Sequence, residues 1–173
     1  MATDEELVAA VARGEEQALE ELTRRWEAPL YRFIARHTGG RDVDDLYQET
    51  WLRVVHHADR FDPGRRFSTW LFQIAVKLCR DWHRRPPPEP RPASDEPAGV
   101  GLEQTEAALD AAQLLARLPE PQREVVVLRY YHDLTEDDVA TMLDIPKGTV
   151  KSRLHQAIAR LADLVRGEKR AAS

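Results

Sequence analysis

The stretch Pro86-Pro87-Pro88-Glu89-Pro90-Arg91-Pro92, which runs on to Pro97 and Gly101 with almost no apolar residue, sets the plan of this chain. Proline fixes φ, removes a backbone donor and keeps the residue before it out of the helical region. A segment without apolar side chains cannot bury enough surface to offset the entropy of ordering it. The stretch therefore predicts an extended, mobile tether over residues 86–104, with separate folding units over residues 1–85 and 105–173. A chain of 173 residues has room for two such small domains. Nearly everything outside the tether carries helical periodicity, so the expected fold class is all-α.

With 42% hydrophobic and 32% charged residues, the composition is that of a soluble globular protein. No run approaches the roughly 18 apolar residues of a membrane span, and the short acidic N-terminus does not resemble a signal peptide, so a cytoplasmic protein without membrane insertion is expected. The single Cys79 excludes an internal disulfide and a multi-cysteine zinc site, and it falls on an apolar helix face as a small core residue. His56 and His57 have no third ligand nearby at metal spacing and fit the solvated end of a helix. Neither a metal nor a cofactor is expected.

The net charge of −5 argues at first against a nucleic-acid partner, but the charge is unevenly spread. Residues 1–50 carry twelve Asp or Glu against six Arg, whereas residues 65–85 carry Arg65, Arg66, Lys77, Arg80, Arg84 and Arg85 against Asp81 alone. Such a chain binds DNA locally and repels it elsewhere, which implies weak, salt-dependent affinity for free DNA and a protein partner that presents it.

From Leu134 to Leu161 the spacing predicts two short helices around a tight turn, the layout of a DNA-binding helix-turn-helix; two amphipathic helices in isolation fit an ordinary helical hairpin equally well. Thr135 and Asp138 form a potential capping box, and Val139, Ala140 and Leu143 give the first helix an apolar face. Asp144-Ile145-Pro146 ends it. In the second helix Val150, Leu154, Ala157, Ile158 and Leu161 share one side. Ser152, His155, Gln156 and Ala159 then point the other way, flanked by Lys151, Arg153 and Arg160. No acidic residue occurs from Lys147 to Arg160, so this helix suits a major groove with phosphates at its flanks.

In the N-terminal half, Thr3 and Glu6 form a second potential capping box for a helix that Gly14 closes. A longer helix follows from about Glu15 to His37, where Pro29 is expected to kink or interrupt it and Gly39-Gly40 to stop it. Val43, Leu46, Tyr47, Thr50, Trp51, Val54 and Val55 make the next buried stripe. Opposite them lie Asp45, Gln48, Glu49 and Leu52, where an exposed leucine is either accidental or the apolar anchor of a partner surface. After the loop Arg60-Phe-Asp-Pro-Gly-Arg-Arg66, Ser68 is placed to cap a further helix. Trp70 or Leu71, Ile74, Ala75, Leu78, Cys79 and Trp82 form its buried side. Gln73, Lys77, Arg80 and Arg84 line its other side, as a solvated cationic face or as a stripe for phosphates and bases. In the second case Phe61, Arg65 and Arg66 offer a place for an unstacked base.

Taken together these segments resemble the extracytoplasmic-function (ECF) sigma factors of the sigma-70 family. Asp45-Leu-Tyr-Gln-Glu-Thr-Trp-Leu-Arg53 looks like the region-two helix that docks on the polymerase clamp, which adds Arg53 to the polymerase-facing residues. Phe67-Ser-Thr-Trp-Leu-Phe-Gln-Ile-Ala75 and Asp81-Trp-His-Arg-Arg85 look like the part that opens and reads the minus-ten element. Leu118-Pro-Glu-Pro-Gln-Arg-Glu-Val-Val-Val-Leu-Arg129 and Ile145-Pro-Lys-Gly-Thr-Val-Lys-Ser-Arg-Leu154 are similar to region four, which reads the minus-thirty-five element, with Lys147 and Thr149 among the contacts. The resemblance implies two helical domains and a non-enzymatic promoter-specificity subunit. It also implies core RNA polymerase (clamp helices and flap), promoter DNA and an anti-sigma factor as partners. Four positions depart from the family pattern: Lys77 stands for a usual Asn, Gln156 and Ile158 for common Arg, and Asp144 for a frequent turn Gly. A conventional dimeric operator-binding protein is the rival; it gives the stripe over residues 65–85 no task. An enzyme would need a phosphate loop or an activated nucleophile, and neither motif occurs.

Overall fold

The computed structural model describes residues 1–86, 106–132 and 134–172, and the described residues form helices and turns with no strand. From residue 87 onward the expected tether lies outside the described residues. The chain divides into two compact units, Met1–Val100 and Gly101–Ser173.

The first unit begins with α1 (Asp4–Ala12), and its capping box is present: Glu6 N–H donates to Thr3 Oγ1 at 3.2 Å and Thr3 N–H to Glu6 Oε2 at 2.8 Å. Gly14 follows at φ +86°, a conformation that costs glycine little. Asp4 ties this helix to α2 (Glu16–Thr38), accepting from Arg25 Nη1 and from Trp26 Nε1, both at 2.9 Å. Pro29 does not interrupt α2. The helix carries on because Leu22, Leu30, Phe33 and Ile34 on either side of the proline are fully buried, and that packing outweighs one lost hydrogen bond. Gly39, in the left-handed region, closes it.

Two more helices complete the unit, α3 (Val43–His57), followed by the 3-10 turn Ala58–Arg60, and α4 (Phe67–Arg84). The expected α3 stripe is buried at Val43, Leu46, Thr50, Trp51 and Val54, but Tyr47 is half-buried and Val55 is 44% exposed. Val55 lies at the edge of a stripe that α2 and α4 cover only in part. On α4 the core is Phe67, Thr69, Leu71, Phe72, Ala75, Val76, Leu78 and Cys79. Phe33 stacks on Phe72 with centroids 4.8 Å apart, and Trp26 meets Phe67 and Phe72 edge-on. Trp82, expected in the core, is half-buried because its indole N–H reaches Asp42 Oδ2 at 2.8 Å and Arg41 lies over its ring. Ser68 does not cap α4 either; the helix starts one residue earlier, at Phe67.

The second unit contains α5 (Glu106–Ala116), α6 (Glu120–Val126) running into a π turn at Val127–Tyr131, α7 (Glu136–Leu143) and α8 (Lys147–Ala171). Its core is Leu118, Val125 to Leu128, Leu134, Val139, Met142, Leu143, Val150, Leu154 and Ala157. The α7–α8 pair is the helix-turn-helix expected from the sequence. Thr135 caps α7 reciprocally with Asp138, and Asp144 takes the left-handed conformation at φ 54°, ψ 49° where the family pattern has glycine. Asp tolerates that region better than most side chains, so the turn survives. Ile158 was expected in the apolar stripe, yet it is 49% exposed and Leu161 is half-buried. Beyond Ala157 the helix continues past most of the core that covers its first turns.

Candidate nucleic-acid and polymerase interfaces

The exposed stripe of α3 stands as the sequence implied: Asp45, Gln48 and Leu52 are exposed, Leu52 at 65%, and Glu49 is half-buried. An apolar side chain so open to water on a folded helix, on the same stripe as polar acceptors, is the kind of exposed apolar feature that marks a partner surface. Arg53, on the same helix, leans back along it and pairs with Glu49 at 3.0 Å.

Arg53 also belongs to a second feature. Between the C-terminal half of α3 and the outer side of α4 lies a cleft of about 290 Å³, lined by Arg53, His57, Arg60, Trp70, Gln73, Ile74 and Lys77. It falls just below the range of ligand sites, which span about 300 to 1,000 Å³. Three permanent cations, no acid, an indole and one amide line it: attraction for phosphates, a ring for stacking, and a donor and acceptor for a base edge. Gln73 and Lys77 are thus brought together as their spacing implied. Phe61, Arg65, Arg66, Arg80 and Arg84 do not line the cleft. Phe61 is buried, packed against Phe67 and against Trp70 with centroids 5.0 Å apart, so it supports the indole and offers no open face to a base. Arg65, Arg66 and Arg84 are exposed and Arg80 is half-buried.

His57, Arg60 and Trp70 were not among the expected site residues. The helical phase assigned Trp70 to the core, but it is half-buried at the rim. A tryptophan beside a cationic loop was the available signal.

The loop before α4 is shaped locally by Asp62, whose Oδ1 accepts from Gly64 N–H and whose backbone oxygen accepts from Arg65 N–H, both at 2.9 Å. The start of α4 has a distant partner: Phe67 N–H donates to Glu5 Oε1 of α1 at 2.9 Å. That bond holds the Glu5 carboxyl below the usual carboxylate range against the opposing effect of burial, and the nearby Arg66 charge helps.

On α8, Lys147, Lys151, Ser152, His155 and Gln156 are exposed, with Thr149 and Arg153 half-buried. The acidic first turn of α7 already engages this surface. Lys147 Nζ pairs with Asp137 Oδ2 at 2.9 Å, which holds its ammonium above the ordinary value, and Lys151 Nζ lies 3.9 Å from Glu136 Oε2. Ser152 Oγ donates to Thr149 O at 3.1 Å. Gln156 Oε1 accepts from Gln122 Nε2 at 3.5 Å, so its amide is already oriented by α6. The side chains on this exposed face of α8 are therefore partly prearranged.

Among the described residues no helix is long and apolar enough to cross a membrane, and no group of three or more His, Cys, Asp or Glu is placed to hold a metal ion.

Residues 22–86 match the profile described as Sigma-70 region 2, and residues 108–161 that described as Sigma-70, region 4. The chain is 36% identical over 167 residues to the ECF RNA polymerase sigma factor SigM of Mycobacterium tuberculosis, covering 94% of this chain and 85% of that protein. It is 28% identical to the ECF RNA polymerase sigma factor SigW of Bacillus subtilis, covering 86% of this chain and 89% of the relative. Among solved structures, CnrH in complex with the cytosolic domain of CnrY aligns with a TM-score of 0.74 and 27% identity, over 95% of this chain and 97% of that one. The chain belongs to the sigma-70 family, in its ECF branch.

Proposed function

We propose that this protein binds core RNA polymerase and directs it to promoters, with the first unit capturing the melted minus-ten strand and the second reading the minus-thirty-five duplex. The observation that carries the proposal is the cleft on α4: three cations and an indole suit an unstacked nucleotide, and they sit beside an exposed leucine surface suited to a protein. Opening a duplex costs a few kcal/mol per extruded base, so strand capture must supply that energy. Arg60, Lys77 and Trp70 supply charge and stacking, while Gln73 supplies the polar edge. The minus-ten face is extended by Arg65, Arg66, Arg80 and Arg84. The polymerase face is Asp45, Gln48, Glu49 and Leu52, and Arg53 bridges the two.

In the second unit α8 enters the major groove with Lys147, Thr149, Lys151, Ser152, Arg153, His155 and Gln156. The domain limits proposed are residues 1–85 and 105–173. A protein of this kind acts in the cytoplasm and performs no chemistry of its own, catalysis staying with the polymerase. The acidic balance of residues 1–50 and the family membership make an anti-sigma factor a further proposed partner.

The test is co-purification with core polymerase followed by run-off transcription from promoter libraries. Specific transcripts that depend on the added chain support the proposal. A symmetric dimer that binds duplex DNA and leaves core polymerase unbound would replace it with an operator-binding regulator.

A further inference from the structure

The minus-ten helix α4 owes its starting point to α1, an element that lies outside the residues matched to region 2. The first N–H groups of any helix lack partners within it. Arg66, at the N-cap, contributes no side-chain hydrogen bond, and Ser68 lies inside the helix. The N–H of Phe67 instead meets Glu5 Oε1 at 2.9 Å, across 62 positions of sequence. A carboxylate at a helix N-terminus gains from both the hydrogen bond and the axial dipole.

Phe67 is fully buried, so its backbone is held at the point where the cationic loop joins the helix. The loop has two attachments. Its beginning is anchored by Phe61, packed on Phe67 and Trp70, and its end by Glu5. Between them Asp62 shapes the turn through bonds internal to the loop. Trp70 lies in the first turn of α4 and lines the cleft. Rotation or fraying of that turn therefore moves the indole at the rim of the cleft.

We propose that Glu5 is a positioning residue for strand capture: it caps α4 from α1 and so fixes the first turn that carries Trp70 into the cleft. A carboxylate beside Arg66 is otherwise a poor choice for a surface that meets phosphates. Its engagement by the backbone gives it a task there. The inference rests on the strand-capture function proposed above.

The experiment uses full-length wild type, Glu5→Ala and Glu5→Gln, each assembled with core polymerase. Three quantities are read: core affinity, permanganate reactivity of the minus-ten thymines, and hydrogen exchange of the Phe67 amide. Loss of an N-cap in Glu5→Ala is expected to lower strand opening about fivefold and to speed Phe67 exchange, with core affinity unchanged. Glu5→Gln keeps an acceptor but not the charge, and a deficit of about twofold is expected. Wild-type opening and exchange in a folded Glu5→Ala would overturn the proposal. So would an equal loss of core affinity and opening, which marks general loosening of the domain. If Glu5→Ala does not fold, Glu5→Gln decides: a twofold deficit with normal core affinity supports the proposal, and wild-type opening overturns it. A wild-type chain that opens no promoter would instead defeat the strand-capture function itself.

Discussion

The two helices proposed to face DNA begin in opposite ways. In the second unit α8 starts after a turn written into adjacent residues: Thr135 and Asp138 cap α7, Asp144 takes the left-handed turn position, and Pro146 sets the N-cap. In the first unit α4 starts where a carboxylate from another helix meets its first N–H, and its cleft is completed by Arg53 and His57 of α3. A duplex-reading helix needs only to project from a compact hairpin into a groove, so short-range signals suffice. A strand-capturing cleft needs two elements held at a fixed spacing, and tertiary contacts do that work. Substitutions should therefore act over long distances in the first unit and locally in the second.

The largest expected effect is that of Phe33→Ala. Phe33 is fully buried and stacked on Phe72 of α4, and removing such a side chain costs about 3 to 5 kcal/mol. Calorimetry should show the first unit unfolding early and transcription lost with it, although Phe33 is far from every cleft residue in sequence. Retained strand capture in that variant would break the claim that α4 is positioned from a distance.

Leu52→Glu is the control on the polymerase side. Leu52 makes little use of the core, so the unit should stay folded while core affinity falls by about 2 kcal/mol, the size of an interface anchor. Titration of labelled protein with core polymerase checks this; normal affinity would remove Leu52 from the interface.

Thr135→Ala removes the reciprocal cap of α7 and should cost about 1 kcal/mol, confined to the second unit. Minus-thirty-five binding should weaken while minus-ten opening on a promoter independent of that element stays intact. Smaller still is Asp137→Asn, which releases Lys147 from its exposed pair; duplex affinity should rise about twofold and its salt dependence steepen.

How much of this was legible in the sequence follows the same division. Both capping boxes, the αL Asp144 and the polar side of α8 depend on residues within a few positions of each other, and periodicity and turn chemistry give them directly. The misplacements are tertiary in origin. Ser68 was a plausible cap until Glu5 met Phe67 from 62 positions away. Trp82 had the phase of a core residue, but Asp42 and Arg41 hold it at the surface. Phe61 looked like a stacking platform in a basic loop, and it is the buried support of Trp70. Pro29 marked a kink or an interruption, and α2 runs through it without interruption. The stripe of Gln73 and Lys77 was legible as a helix face, but the cleft was not, since its other wall belongs to α3.

The most direct test of the central claim is permanganate footprinting of the minus-ten element by holoenzyme carrying the wild-type chain or Arg60→Ala with Lys77→Ala. Both side chains are exposed, so the domain should stay folded and bind core polymerase normally. The expected result is a loss of thymine reactivity of about tenfold, equivalent to about 1.4 kcal/mol of strand capture. Reactivity and base preference equal to wild type, at equal core affinity, would show that the cleft is a solvated cationic surface and contradict the account.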